Sequence, residues 1–154
     1  MVDFQSVHRM SLVVQNIMVS NVITTEKHAL VIDAVKIMNE HGIGCLVVTE
    51  NGNPIGIVTE RDFLKRVLVE SKNPKKTKVQ EVMSSPLIVA KPDMEIDKVT
   101  RFMFDRKIKK LPIVEDGKLV GLVTFTDLLR FQPSLIRVVK ELTQPHSWKK
   151  TEDK

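Results

Sequence analysis

The chain has 154 residues, 42% hydrophobic and 28% charged, a balance that excludes a disordered polymer and is enough to bury a core. Lys and Arg number 24 against 19 Asp and Glu, and the net charge of +5 favours anionic partners without choosing among nucleotides, nucleic acids and acidic protein faces. The longest apolar runs fall far short of the ~20 residues of a membrane span, and a single cysteine, Cys45, excludes an internal disulfide or a Cys-rich zinc site.

Residues 1–13 read as a lead-in without the long apolar region of a secretory signal, so a cytoplasmic chain is expected, with no membrane partner. Val22-Ile23-Thr24 has the composition of a short strand. Val31, Ala34, Val35 and Met38 then follow the i, i+3, i+4, i+7 spacing of an amphipathic helix. Two apolar strands, Leu46 to Thr49 and Ile55 to Thr59, flank Asn51-Gly52, whose tolerance of positive φ predicts a tight hairpin. A second helix is expected from Glu60 to Val69, before a polar, basic linker over 70–78 that contains Pro74.

The same order then repeats. Val14-Gln15-x-x-Met18 returns as Val79-Gln80-x-x-Met83, and the shift of 65 positions holds without a gap to pair Ile23 with Ile88, Gly56 with Gly121, Thr59 with Thr124 and Asp62 with Asp127. In the second copy Ile96, Val99 and Met103 give the helix face, with Asp93 after Pro92 as its expected cap, and Leu111 to Val114 and Leu119 to Thr124 form a hairpin around Asp116-Gly117. A helix over Thr126 to Phe131 closes the copy. Past Pro133, residues Leu135, Val138, Val139 and Leu142 predict one more amphipathic helix.

The fold class is therefore α+β: two β-α-β-β-α units, 14–69 and 79–131, packed as a pseudo-twofold pair, with a C-terminal helix and tail in 132–154. Two copies are too few for a solenoid, so they must bury their apolar faces on each other, with the binding surface between them.

The most specific local signal is G-h-h-T-x-x-D, with h apolar, read at Gly56 to Asp62 and again at Gly121 to Asp127. Thr-x-x-Asp where a strand enters a helix has the form of a capping box. The same geometry offers exposed amides to a phosphate and a carboxylate to two adjacent hydroxyls, as on a ribose. Both readings stand at this point. Histidines 8, 28, 41 and 146 are scattered, without His-Glu-x-x-His spacing, and neither a phosphate-binding G-x-x-x-x-G-K-[ST] loop nor a G-x-S-x-G nucleophile motif occurs. Neither a metal, a cofactor nor an enzymatic role is expected, and Cys45 reads as a small core residue.

The repeat order, the paired G-h-h-T-x-x-D ends and Ile108-Lys109-Lys110-Leu111-Pro112-Ile113-Val114 resemble a pair of cystathionine-β-synthase-type (CBS) domains, also called a Bateman module, over about residues 14 to 131. The resemblance implies a regulatory module that binds AMP, ADP, ATP or S-adenosylmethionine in clefts between the repeats. Asp62 and Asp127 would hold ribose hydroxyls, with Thr59 and Thr124 contacting phosphate or ribose. Gly44 and Cys45 in one copy and Lys109 and Lys110 in the other would form the wall of the adenine pocket, and Ile23 and Ile88 would flank the base. Val47 stands where the second copy has Pro112. The copies also differ at Arg61 against Thr126, which tilts positive charge to the first site, while Lys109 and Lys110 furnish the second more richly for phosphate. The resemblance further implies a homodimer, signalling to an unidentified protein in trans. Charge alone keeps nucleic-acid binding through the basic linker and tail as the alternative function.

Overall fold

The computed structural model describes residues 12–131 together with 134 and 140, so the expected C-terminal helix lies outside the described residues. In chain order the elements are strand β1 (Thr24–Glu26), helix α1 (Val31–His41), strands β2 (Cys45–Glu50) and β3 (Asn53–Thr59), and helix α2 (Glu60–Phe63), which continues as a wide turn over Leu64–Leu68. The second half supplies α3 (Ile96–Asp105), β4 (Lys110–Glu115), β5 (Lys118–Thr124) and α4 (Phe125–Phe131). Short 3-10 turns at Val14–Asn16 and Val79–Glu81 open the two halves.

Both hairpins form as their turn residues require, with Asn51 at φ 51° and Gly52 at 80°, and Asp116 at 49° and Gly117 at 76°. Each ladder shifts register once, between Val48 and Thr49 and between Ile113 and Val114, beside Gly56 and Gly121. The β2 strand is central, parallel to β1 and antiparallel to β3, and is buried on both faces from Cys45 to Thr49.

Three expectations are corrected. The first strand is Thr24–Glu26, not Val22 to Thr24, because its register against Val47, Val48 and Thr49 starts at Thr24 and buries Thr25. Its counterpart in the second copy shrinks to one bridge from Ala90 to Ile113, leaving a two-stranded sheet. The reason is Pro92: the equivalent Lys27 donates its amide to the Thr49 carbonyl at 3.0 Å, and a proline has no amide to donate. Val35, assigned to the core face of α1, is 38% exposed, whereas Val31, Ala34 and Met38 are buried.

The lead-in segments exchange. Val14 and Ile17 pack into the core of the second half with Ile96, Met103, Leu111 and Ile113, while Val79 and Val82 pack with Val31, Leu46, Val58 and Phe63 in the first. The backbone repeats the exchange, since Val19 pairs both ways with Leu122, and Ser84 both ways with Ile57. Each repeat is thus completed by the start of the other, and neither sequence repeat is a self-sufficient packing unit.

This exchange also explains how the helices are capped. Asp93 is not the cap of α3; Glu95 is the N-cap residue and its side chain makes no capping hydrogen bond. The Ile96 amide instead donates to the Leu12 carbonyl at 3.0 Å, and in the first half Val31 donates to Thr77 at 2.9 Å and Ile32 to Pro74 at 3.0 Å. The linker is accordingly folded rather than a solvated tether, with Thr77 buried and its hydroxyl donating to the Asn73 carbonyl at 2.9 Å.

Candidate functional site

Thr59 and Thr124 end strands β3 and β5 where the chain turns into a helix. The Thr59 amide donates to Asp62 Oδ2 at 2.8 Å, its hydroxyl donates to the same oxygen at 3.1 Å, and the Asp62 amide returns to Thr59 Oγ1 at 3.4 Å. Thr124 and Asp127 reproduce the set at 2.9, 2.9 and 3.2 Å. The capping interpretation is therefore realised in both copies, a contribution of about 1 kcal/mol each. It also limits the chemistry that remains: the one hydroxyl proton of Thr59 is used on Asp62, so Thr59 can accept from a ligand hydroxyl but has no proton for a phosphate. Asp62 Oδ1 takes no part in the cap and instead forms an ion pair with Arg66, whose Nε lies 3.8 Å away.

A cavity of about 400 Å³ opens beside this motif, lined by residues of both halves. The first half supplies Gly44, Thr59, Glu60, Arg61 and Asp62, and the second supplies Ile88, Lys107, Ile108, Lys109, Lys110 and Pro112. The division of charge expected from sequence is overturned. Arg61 and the lysines were assigned to different sites, but all converge on the cleft that contains Thr59 and Asp62. The pairing of the repeats explains it, because this cleft takes its capping motif from the first repeat and its strand-entry wall from the second. Shifted by 65 positions, Lys107, Lys109, Lys110 and Arg61 become Gly42, Gly44, Cys45 and Thr126, so the related positions beside Thr124 and Asp127 carry no cation.

Ile23, Thr124, Thr126 and Asp127 do not line this cavity, and Ile23 packs against the first core. Cys45, expected in the pocket wall, does not line this cavity and is 7% exposed, on a strand that is buried on both faces, while Gly44 reaches the cleft without a side chain. Lys110 occupies the space so left: a methyl group on Gly44 would meet its Nζ at 3.1 Å and Glu60 Oε2 at 3.5 Å. Among the described residues, none of Arg61, Lys107, Lys109 and Lys110 lies within ion-pair distance of a carboxylate. Sequence reasoning missed Glu60, Lys107 and Ile108 as cleft residues. The two positions before Lys109 were the available signal for the last pair.

Burial pushes the Cys45 thiol pKa up, the Lys110 ammonium pulls it down and the Glu60 carboxylate raises it again, with a net rise. The folded thiol thus keeps its proton to higher pH than the unfolded one. Its contribution to stability is complete below the ordinary thiol pKa and is lost as pH rises through the raised value. Urea unfolding of the protein and of Cys45→Ala at about pH 7 and about pH 10 should show the cysteine form losing stability relative to the variant. Parallel pH dependence would contradict the desolvated thiol.

Among the described residues no group of three His, Cys, Asp or Glu side chains could hold a metal ion, and no helix is long and apolar enough to cross a membrane. In the basic linker Lys72 is paired with Glu70 at 3.0 Å.

The profile of the CBS domain matches residues 14–69 and 79–134. The chain belongs to the CBS domain family. This CBS pair is 44% identical over 106 residues to an uncharacterized protein of Methanopyrus kandleri, covering 68% of this chain and 54% of that one. It spans about half the length of several curated relatives that it matches. Among solved structures, the hexameric CBS-CP12 protein from bloom-forming cyanobacteria is 32% identical with a TM-score of 0.74, covering 84% of this chain and 76% of that one. A CBS domain pair solved with 5′-methylthioadenosine and S-adenosyl-L-methionine is 28% identical with a TM-score of 0.73, covering 80% and 98%. The CBS domain is a regulatory rather than a catalytic module, and the fold expected from the repeat is the one found.

Proposed function

We propose that the cleft between the repeats binds a phosphate-bearing adenosine ligand, and that occupancy resets the geometry of the pair, which signals to a partner protein in trans from a homodimer. The single observation that supports this is the composition of the cleft: a capping carboxylate with one oxygen left out of the cap shares the cavity wall with four cations contributed by both repeats. Asp62 Oδ1 accepts from the ribose hydroxyls, the apolar side chains of Ile88, Ile108 and Pro112 receive the base, and Lys109 and Lys110 take the phosphates in place of Thr59. ATP and ADP should then bind more tightly than AMP, and all three more tightly than S-adenosylmethionine, whose sulfonium brings a cation to a cationic wall. A ligand that touches both halves stabilises their contact, and this is how binding becomes a change of shape.

The experiment is isothermal titration of ATP, ADP, AMP and S-adenosylmethionine into protein stripped of copurified ligand, with melting temperature followed in parallel. A bound nucleotide at about 100 times its Kd should contribute about 2.7 kcal/mol of stability. No heat and no shift with any of the four would sink the reading. Tightest binding by S-adenosylmethionine would reject the phosphate preference and keep the adenosine site.

A further inference from the structure

We propose that Arg66 is a positioning residue that ties Asp62 to the exchanged segment 79–84, so that the state of the cleft is felt by the start of the other repeat. The proposal deepens the reading of the cleft as a ligand site and rests on it for its purpose. The arginine rises from the wide turn Leu64–Leu68 that extends α2. Its Nη1 donates to the carbonyls of Val82 at 2.8 Å and Met83 at 2.9 Å, while its Nε lies 3.8 Å from the Asp62 oxygen that the cap leaves open. One guanidinium thus spans the candidate ribose acceptor and a segment that belongs, in sequence, to the other copy.

What lies beyond those carbonyls makes the link consequential. Val82 is buried in the first core, Met83 crosses Gly56, and Ser84 pairs both ways with Ile57 before reaching the cleft, where Ser84 and Pro86 form part of the wall. Asp62, Arg66 and the exchanged backbone therefore form a chain of contacts whose two ends line the same cleft. A ligand hydroxyl on Asp62 Oδ1 competes with Nε for the same oxygen, and Arg66 cannot shift without moving the carbonyls it holds. Shifted by 65 positions Arg66 becomes Phe131, which has no donor, and no counterpart of this link occurs among the described residues of the second half.

The test is amide hydrogen exchange of residues 82–85 in the full chain, in a cycle of Asp62→Asn and Arg66→Met. In ligand-free protein, Asp62→Asn should speed exchange of the Ser84 amide about threefold to tenfold in the parent background and not at all when Arg66 is methionine. Thr59→Ala, which removes the two hydroxyl bonds of the cap, keeps the amide bond to Asp62 and does not touch Arg66, should leave the segment unchanged. ATP should slow exchange at 82–85 in the parent protein and lose that effect with Arg66→Met, even where ATP still binds. Independent effects of the two substitutions, or slowing by ATP that survives in Arg66→Met, would overturn the proposal. Should Arg66→Met fail to fold, Arg66→Lys, which keeps the charge but not the paired geometry, carries the same cycle. Absence of ATP binding would remove the ligand reading, and the ligand-free cycle would still decide the linkage.

Discussion

Replacing Lys110 with methionine should weaken ATP and ADP binding by roughly tenfold to a hundredfold and change binding of 5′-methylthioadenosine by less than about twofold. The thioadenosine presents the same base and ribose without a phosphate, so it isolates the charge. Lys110 starts β4 in the second half, and its ammonium lies over Gly44 of the first, close to Glu60 but not ion-paired with it. With no carboxylate partner among the described residues, this ammonium on the cleft wall has its donors available, and a charge-assisted bond to phosphate supplies the stated range. The ATP affinity of the parent protein should also fall with added salt, and that of Lys110→Met should fall less steeply. Equal losses for ATP and the thioadenosine would show that Lys110 only shapes the wall. No loss for either would place the ligand elsewhere.

Gly56→Ala should cost about 3 kcal/mol, the upper part of the range for overpacking, and Gly121→Ala only about 1 kcal/mol. Both glycines sit where the exchanged segment of the other repeat crosses a strand. A methyl at Gly56 would lie 2.8 Å from Met83 Sδ and 2.9 Å from the Ser84 carbonyl oxygen. At Gly121 the three nearest atoms all belong to the Met18 side chain, whose Cγ and Sδ can rotate away while its Cβ, at 3.2 Å, has to give by only a few tenths of an ångström. The Ser84 carbonyl cannot retreat so easily, because it accepts from the Ile57 amide at 3.1 Å. Urea denaturation measures both costs. Met18→Ala should rescue most of the Gly121→Ala loss, while Met83→Ala should rescue Gly56→Ala only in part. Against a total stability of about 5–15 kcal/mol, 3 kcal/mol is a large fraction. Equal costs, or complete rescue at both positions, would refute the distinction between backbone and side-chain crowding.

The legible parts of the molecule were those governed by neighbours in the chain. Asn51-Gly52 and Asp116-Gly117 turn because both central residues must take positive φ, and each is flanked by apolar alternation. Thr59 with Asp62, and Thr124 with Asp127, cap because three residues separate a hydroxyl from a carboxylate at a helix start. Asp93 looked equally suited to cap α3, but Leu12 occupies that role through its carbonyl, from more than eighty positions away. Pro92 shortened the second sheet through a bond partner, Thr49 in the other copy's geometry, that only strand register could identify.

The cleft was half legible. Its residue types, a capping Thr and Asp, paired lysines and a glycine, were present in the sequence with their spacing. Which of them share a cavity was not, because a sequence repeat is read as a unit while the folded repeat borrows its lead-in from the other copy.

The sequence by itself determined that two equivalent β-α-β-β-α patterns must bury against one another, that the hairpins turn where they do, and that cations are concentrated at Lys109 and Lys110 of one copy. These follow from local sterics and from hydrophobic periodicity, which need no knowledge of distant contacts. Only the tertiary structure decided that Val14 and Val79 change cores and that Arg61 meets Lys109 and Lys110 beside Asp62. Those facts depend on how two half-complete sheets satisfy their remaining backbone groups and apolar faces, and burial makes no distinction between a partner in the same repeat and one 65 positions away.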